Sequence, residues 1–162
     1  MTKNAKRYFL AVILLAAMAA AILPSCVRKN VYSKVYSIDE PGWSIYNQLI
    51  FSAPISDTLT PSDILLTIRS NSGYPYRNIF LFITTTSPEG YSIKDTLEYY
   101  LADEKGNWLG KGLGDIHELT VPFKTNVVFP YAGNYQFRIE QGMRTDDLEG
   151  IIDVGLSIIK RD

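Results

Sequence analysis

No stretch of the chain beyond Asn30 sustains an apolar period of 3.6, and that absence decides the fold class. Short apolar-polar alternations take its place, cut by Gly, Pro, Asn and Asp. The cleanest covers 135–141, where Tyr135, Phe137 and Ile139 alternate with Gln136, Arg138 and Glu140. A strand turns successive side chains to opposite faces, so such a run buries one face and wets the other. Residues 31–38, 44–51, 91–101 and 151–159 read as strands too. Residues 63–70 put Ile64, Leu66 and Ile68 on one side, and 91–101 put Ile93, Leu97 and Tyr99 inward. Residues 78–85 are nearly all apolar, which predicts a central strand buried on both faces. Residues 116–123 carry Pro122, which cannot donate to a ladder and so marks an edge. Turns are expected at 39–42, 71–73, 88–90 and 104–107. The glycine-dense 108–114 predicts an irregular loop, and 145–149 a single turn of helix. About eight short strands separated by turn signals predict an all-β, antiparallel β-sandwich, jelly-roll or immunoglobulin-like.

The first residues do not belong to that domain. Lys3, Lys6 and Arg7 precede an uncharged apolar run over 8–23, and Leu23-Pro24-Ser25-Cys26 follows. A basic start, an apolar centre and a small residue before the cut describe a secretory signal peptide. The run is shorter than the roughly 20 residues of a spanning helix, and Pro24 stops it. Cys26 is the only cysteine, so no internal disulfide can form. Leu-x-Ser-Cys resembles the lipobox of bacterial lipoproteins, in which the cysteine becomes the N-terminus and carries acyl chains. Pro24 departs from the usual pattern. The expected organisation is a signal peptide over 1–25, a lipidated N-terminus and tether over 26–30, and one β-sandwich domain over 31–162. Several acyl chains anchor stably, because each buried CH₂ contributes about 0.8 kcal/mol.

Charge excludes one class of partner. Three of the 16 cations lie in the leader, which leaves the rest of the chain with four more carboxylates than cations. Nucleic-acid binding needs a clustered basic face, and none is present.

Motifs for chemistry are few. Gly110-Lys111-Gly112-Leu113-Gly114 lacks the spacing and the following helix of a phosphate loop. His117 is the single histidine, too little for a zinc site or a nucleophile with its base. Asp146, Asp147, Glu149 and Asp153 cluster in sequence, the one arrangement from which a carboxylate-pair hydrolase could be drawn. No catalytic residue, metal, cofactor or small-molecule substrate is therefore assigned. Exposed aromatic rings can stack on sugars or anchor a partner protein. Tyr74 and Tyr76, in a loop set by Gly73 and Pro75, are expected to be exposed and to form such a surface with Trp108. Trp43 is a further platform if the domain binds carbohydrate. Asp57-Thr58-Leu59 and Asp95-Thr96-Leu97 resemble the short sequon for O-glycosylation of exported Bacteroidetes proteins, which would modify Thr58 and Thr96.

Several segments together resemble one family. Asn78-Ile79-Phe80-Leu81-Phe82-Ile83, Asp95-Thr96-Leu97-Glu98, Leu101-Ala102-Asp103, Gly106-Asn107-Trp108-Leu109-Gly110-Lys111-Gly112, and the run from Gly133-Asn134-Tyr135-Gln136-Phe137 through Arg138-Ile139-Glu140-Gln141-Gly142-Met143-Arg144 look, in order, like the GldH gliding-motility lipoproteins. The resemblance implies a non-enzymatic Bacteroidetes envelope lipoprotein, tied to gliding motility and the linked type IX secretion machinery. It also implies other lipoproteins of that system as partners. It carries no catalytic residues over. Val27-Arg28-Lys29-Asn30 lacks the acidic run that surface-exported Bacteroidetes lipoproteins usually carry, and Val27 is not an inner-membrane retention aspartate. An outer-membrane anchor with the domain facing the periplasm is expected. The alternative function is a carbohydrate-binding module on the envelope.

Overall fold

The computed structural model describes residues 30–161. The leader, Cys26 and most of the tether lie outside the described residues. Among the described residues there is no helix, and eleven strands follow one another. They are β1 (Asn30–Ser37), β2 (Trp43–Ser44), β3 (Leu49–Ile55), β4 (Ser62–Asn71), β5 (Asn78–Thr86), β6 (Ser92–Tyr100), β7 (Lys111–Leu113), β8 (Ile116–Val127), β9 (Gly133–Gln141), β10 (Asp147–Leu148) and β11 (Ile151–Lys160). A five-stranded sheet runs β1-β11-β4-β8-β7, a four-stranded sheet runs β3-β9-β5-β6, and β10-β2 form a two-stranded ribbon. Every pairing is antiparallel.

Among the eight long strands, only β5 and β6 form a hairpin inside one sheet. Every other step passes from one sheet to the other, which sets β1-β11-β4-β8 against β3-β9-β5-β6. That is jelly-roll wiring, so of the two expected sandwiches this is the one formed. The core lies between the sheets. Ile64, Leu66 and Ile68 of β4 and Val154, Leu156 and Ile158 of β11 face Phe51, Phe137, Ile139, Ile79, Leu81 and Ile83 from the smaller sheet. The alternation in β4 and β9 is what places these rows inward.

The structure departs from the sequence reading in several places. β5 is central but not buried on both faces, because a two-layer sandwich leaves each strand one outer side; Phe80 is exposed there. The run 44–51 divides, with Trp43 and Ser44 in the ribbon and β3 continuing through Pro54 to Ile55. Residues 145–149 form no helix, since Asp147 and Leu148 pair with Ser44 and Trp43. Within 108–114, Lys111–Leu113 pairs with β8. That pairing stops at Glu118, so Pro122 does lie on an edge.

Strand register defines two ends. At one, Asn30 is level with Ile159, Lys160 with Ser62, and Ser62 with Val127. Loops 56–61, 87–91 and 128–132 belong to this Asn30 end. At the other lie Trp43, the β2–β10 ribbon, and loops 72–77, 101–110 and 142–146.

Candidate functional site

The Trp43 end holds the aromatic residues singled out in the sequence. Loop 72–77 and the segment after β6 are stitched together: Leu101 N–H and Ala102 N–H both donate to the Arg77 carbonyl, at 2.7 and 3.0 Å. Trp108 then bridges to Ala102, which sets the indole beside the same loop. Asp103 closes the intervening turn by accepting from the backbone N–H groups of Lys105 and Asn107 and from the Asn107 amide. Those bonds, the Asn107 side chain first, hold its carboxyl below the ordinary aspartate range.

Tyr74 is the clearest correction: it is buried, with 5% exposure, rather than presented by its loop. Its ring packs edge-on to Tyr76 at 5.8 Å, and its hydroxyl donates to the Asn78 carbonyl at 2.7 Å. Burial raises its phenol well above the usual range. Tyr76 is exposed, and so is Tyr100, whose ring lies beneath the Arg77 guanidinium, 5.8 Å from the ring centroid. Trp108 is half-buried, one face stacked on His117 at 4.7 Å with the planes 11° apart. Trp43 is fully buried, and its Nε1–H donates to the Asn47 carbonyl at 2.9 Å. A sugar-stacking surface therefore lacks the Trp43 indole and has at most one face of Trp108.

The other sequence candidates lie apart. Thr58 sits half-buried in loop 56–61, where Asp57 accepts from the N–H groups of Leu59 and Thr60 and pairs with Lys160 at 2.6 Å. Thr96 is exposed on the outer side of β6, opposite Phe82. Asp153 leaves the acidic cluster: it is buried on the outer side of the larger sheet, accepts from Ser37 Oγ at 2.7 Å and pairs with Arg69 at 2.8 Å. Asp146, Asp147 and Glu149 are solvent-exposed. Among the described residues no three His, Cys, Asp or Glu side chains gather so as to hold a metal ion.

A second region, which the sequence reading missed, occupies the Asn30 end. The two sheets gape there, and an apolar pocket of about 340 Å³ opens between them. Ile64, Thr85, Val127, Phe129 and Tyr135 form its floor and walls, with Tyr91, Ile93 and Tyr131 at the rim. Ile93 shares the inner side of β6 with Leu97 and Tyr99, yet it is 62% exposed because nothing covers the mouth among the described residues. Tyr91 and Tyr131 stack at 6.5 Å. Lys124, the one cation on the pocket wall, is neutralised by Asp95 at 2.8 Å. The signal was available only as scattered aromatic residues in two loops, with nothing local to say that they meet.

Comparison with known proteins places the chain. The family model described as GldH lipoprotein matches residues 30–158. A "Gliding motility lipoprotein GldH homolog" of Christiangramia forsetii is 38% identical over 148 residues, covering 87% of this chain and 90% of that relative. The "Gliding motility lipoprotein GldH" of Flavobacterium johnsoniae is 33% identical over 152 residues, covering 90% of this chain and 94% of the relative. Among solved structures, a family GH115 4-O-methyl-α-glucuronidase overlaps 85% of this chain and 18% of its own, with a TM-score of 0.38 and 14% identity. Overlap that loose says nothing about ligand or activity. The chain belongs to the GldH lipoprotein family.

Proposed function

We propose that this GldH-family chain is a lipid-anchored, non-enzymatic component of the gliding motility and type IX secretion machinery, working by binding rather than catalysis. The observation that carries the reading is the family match across residues 30–158. Two features support it. Cys26 is the only thiol of the chain and sits where the apolar leader ends, the position of an acylated cysteine. The described residues bring no nucleophile, base and orienting group together, and the buried carboxylate Asp153 is already used by Ser37 and Arg69.

The lipid raises the local concentration of the domain at a membrane, and other motility or secretion lipoproteins are the partners. An outer-membrane anchor facing the periplasm is supported by the basic Arg28 and Lys29 where an acidic export run would stand. Tyr76, exposed in loop 72–77, with the accessible part of Trp108, is the docking surface this reading assigns to a partner.

A deletion strain complemented with wild type or Cys26→Ala tests it. Surface spreading and release of type IX cargo should both fail on deletion, return with wild type, and not return with Cys26→Ala. Unchanged spreading and secretion in the deletion strain would overturn the proposal.

A further inference from the structure

We infer that the Asn30 end is a membrane-docking face, whose open apolar mouth and tyrosine rim rest in the interfacial layer of the bilayer. The inference rests on acylation at Cys26. Only four steps of chain separate Cys26 from Asn30, a reach of about 14 Å when extended. The larger sheet is about as wide from β1 to β8, three strand spacings of roughly 4.8 Å. The anchor therefore holds this end, and not the Trp43 end, against the membrane surface.

The chemistry of the end matches that location. Loops 56–61, 87–91 and 128–132 contain no Lys or Arg. They expose Leu59, Tyr91, Val128 and Tyr131, and Ile93 adds to them from the start of β6. Asp57 is paired with Lys160, which leaves Glu89 the one loop carboxylate here without an ion pair among the described residues. Tyrosine rings favour the headgroup level, where the ring is shielded and the hydroxyl stays wet. The pocket behind the rim is apolar and its single cation is already paired, so burial against acyl chains strands no charge. The three loops carry no cation, so this face itself does not select anionic lipid, and only Arg28 and Lys29 of the tether could add such a preference. Docking should proceed on zwitterionic bilayers and resist salt, unlike attachment by a basic patch.

The test uses the acylated full-length protein on phosphatidylcholine–phosphatidylethanolamine vesicles. Acylation blocks Cys26, so one introduced cysteine can carry a polarity-sensitive fluorophore. Ala132→Cys labels the Asn30 end, and Leu113→Cys labels the opposite end, roughly 30 Å away along a ten-residue strand. Quenching by headgroup-proximal spin-labelled lipid should be several-fold stronger at position 132 than at 113, and unchanged by added salt. A double variant, Tyr91→Ser with Tyr131→Ser, should keep its thermal transition and still float with the vesicles, while quenching at 132 falls to the level at 113. Protein that floats but is quenched equally at both positions would overturn the docking face and leave the anchor standing. So would salt-sensitive quenching. Protein that does not float would overturn the anchor, and the docking face with it.

Discussion

At the Trp43 end the gap between the sheets is shut by a ribbon in which Trp43 and Leu148 face each other, both fully buried; at the Asn30 end the same gap stands open over Ile64, Phe129 and Tyr135. The loops differ as well. The closed end carries Asp39, Glu40, Asp103, Glu104, Asp115, Asp146, Asp147 and Glu149, so its exposed Tyr46 and Leu113 stand among charges. The open end offers only Asp57 and Glu89 in its three loops. A sandwich has two mouths through which water could reach its core. Here sequence has been spent on sealing one of them, and the other keeps an apolar rim at the end where β1 begins. The difference is the expected pattern if a second apolar phase completes the fold at one end only.

The largest contrast should appear in stability. Trp43→Ala removes the plug and is expected to cost about 3–5 kcal/mol, as for other fully buried aromatic truncations. Tyr91→Ser, at the open rim, should stay within about 0.5 kcal/mol in the absence of lipid. Urea titration of both variants measures this, and equal losses would break the comparison.

Two turn glycines sharpen it further. Gly150, at φ +78°, has no room for a Cβ, which would run into the Tyr74 backbone under the ribbon. Gly90, at φ +88°, has open space around it at the tip of the β5–β6 hairpin. Gly90→Ala should cost about 1 kcal/mol for the left-handed backbone alone, and Gly150→Ala roughly 3 kcal/mol once displaced packing is added. Matching thermal shifts for the two would show that the ends are packed alike.

The smallest effect is electrostatic. The Lys160 ammonium, and then the backbone N–H groups of Thr60 and Leu59, hold Asp57 well below its usual 3.8. A carboxylate depressed in the folded state stabilises above its unfolded value and loses that contribution as pH falls through the folded one. Acid should therefore loosen loop 56–61 only below about pH 4. Asp103 and Asp115 do the same service for the closed end, held down chiefly by Asn107 and Ser72. In Lys160→Met, Asp57 should titrate at higher pH while Asp103 is unmoved, readable from carboxyl carbon shifts. Movement of both would tie the two ends together.

The strands of this fold are readable where period 2 is strict. β4 and β9 lie where their alternation puts them, and their inward residues are the buried ones. The family is readable for the same reason, since its segments lie on these strands and their turns. What local pattern cannot carry is closure. Gly73 and Pro75 do put Tyr74 in a loop, but whether a loop residue is exposed depends on what lies over it, here the turn at Gly150 far along the chain. The ribbon is unreadable because each of its strands is two residues long and gains meaning only from the other. Ile93 has the inward parity its pattern predicts, and only the three-dimensional mouth explains why it is wet. The Tyr91–Tyr131 pair is invisible for the same reason as the ribbon.

β11 lies between β1 and β4, and β1 has no other neighbour in its sheet among the described residues. A polypeptide delivered with its N-terminus leading cannot complete that sheet until residue 160 has arrived. Non-local pairing of this kind is slow to form. The strand order thus acts as a timer: the larger sheet stays unfinished, with β1 unpaired, until the last strand has been made.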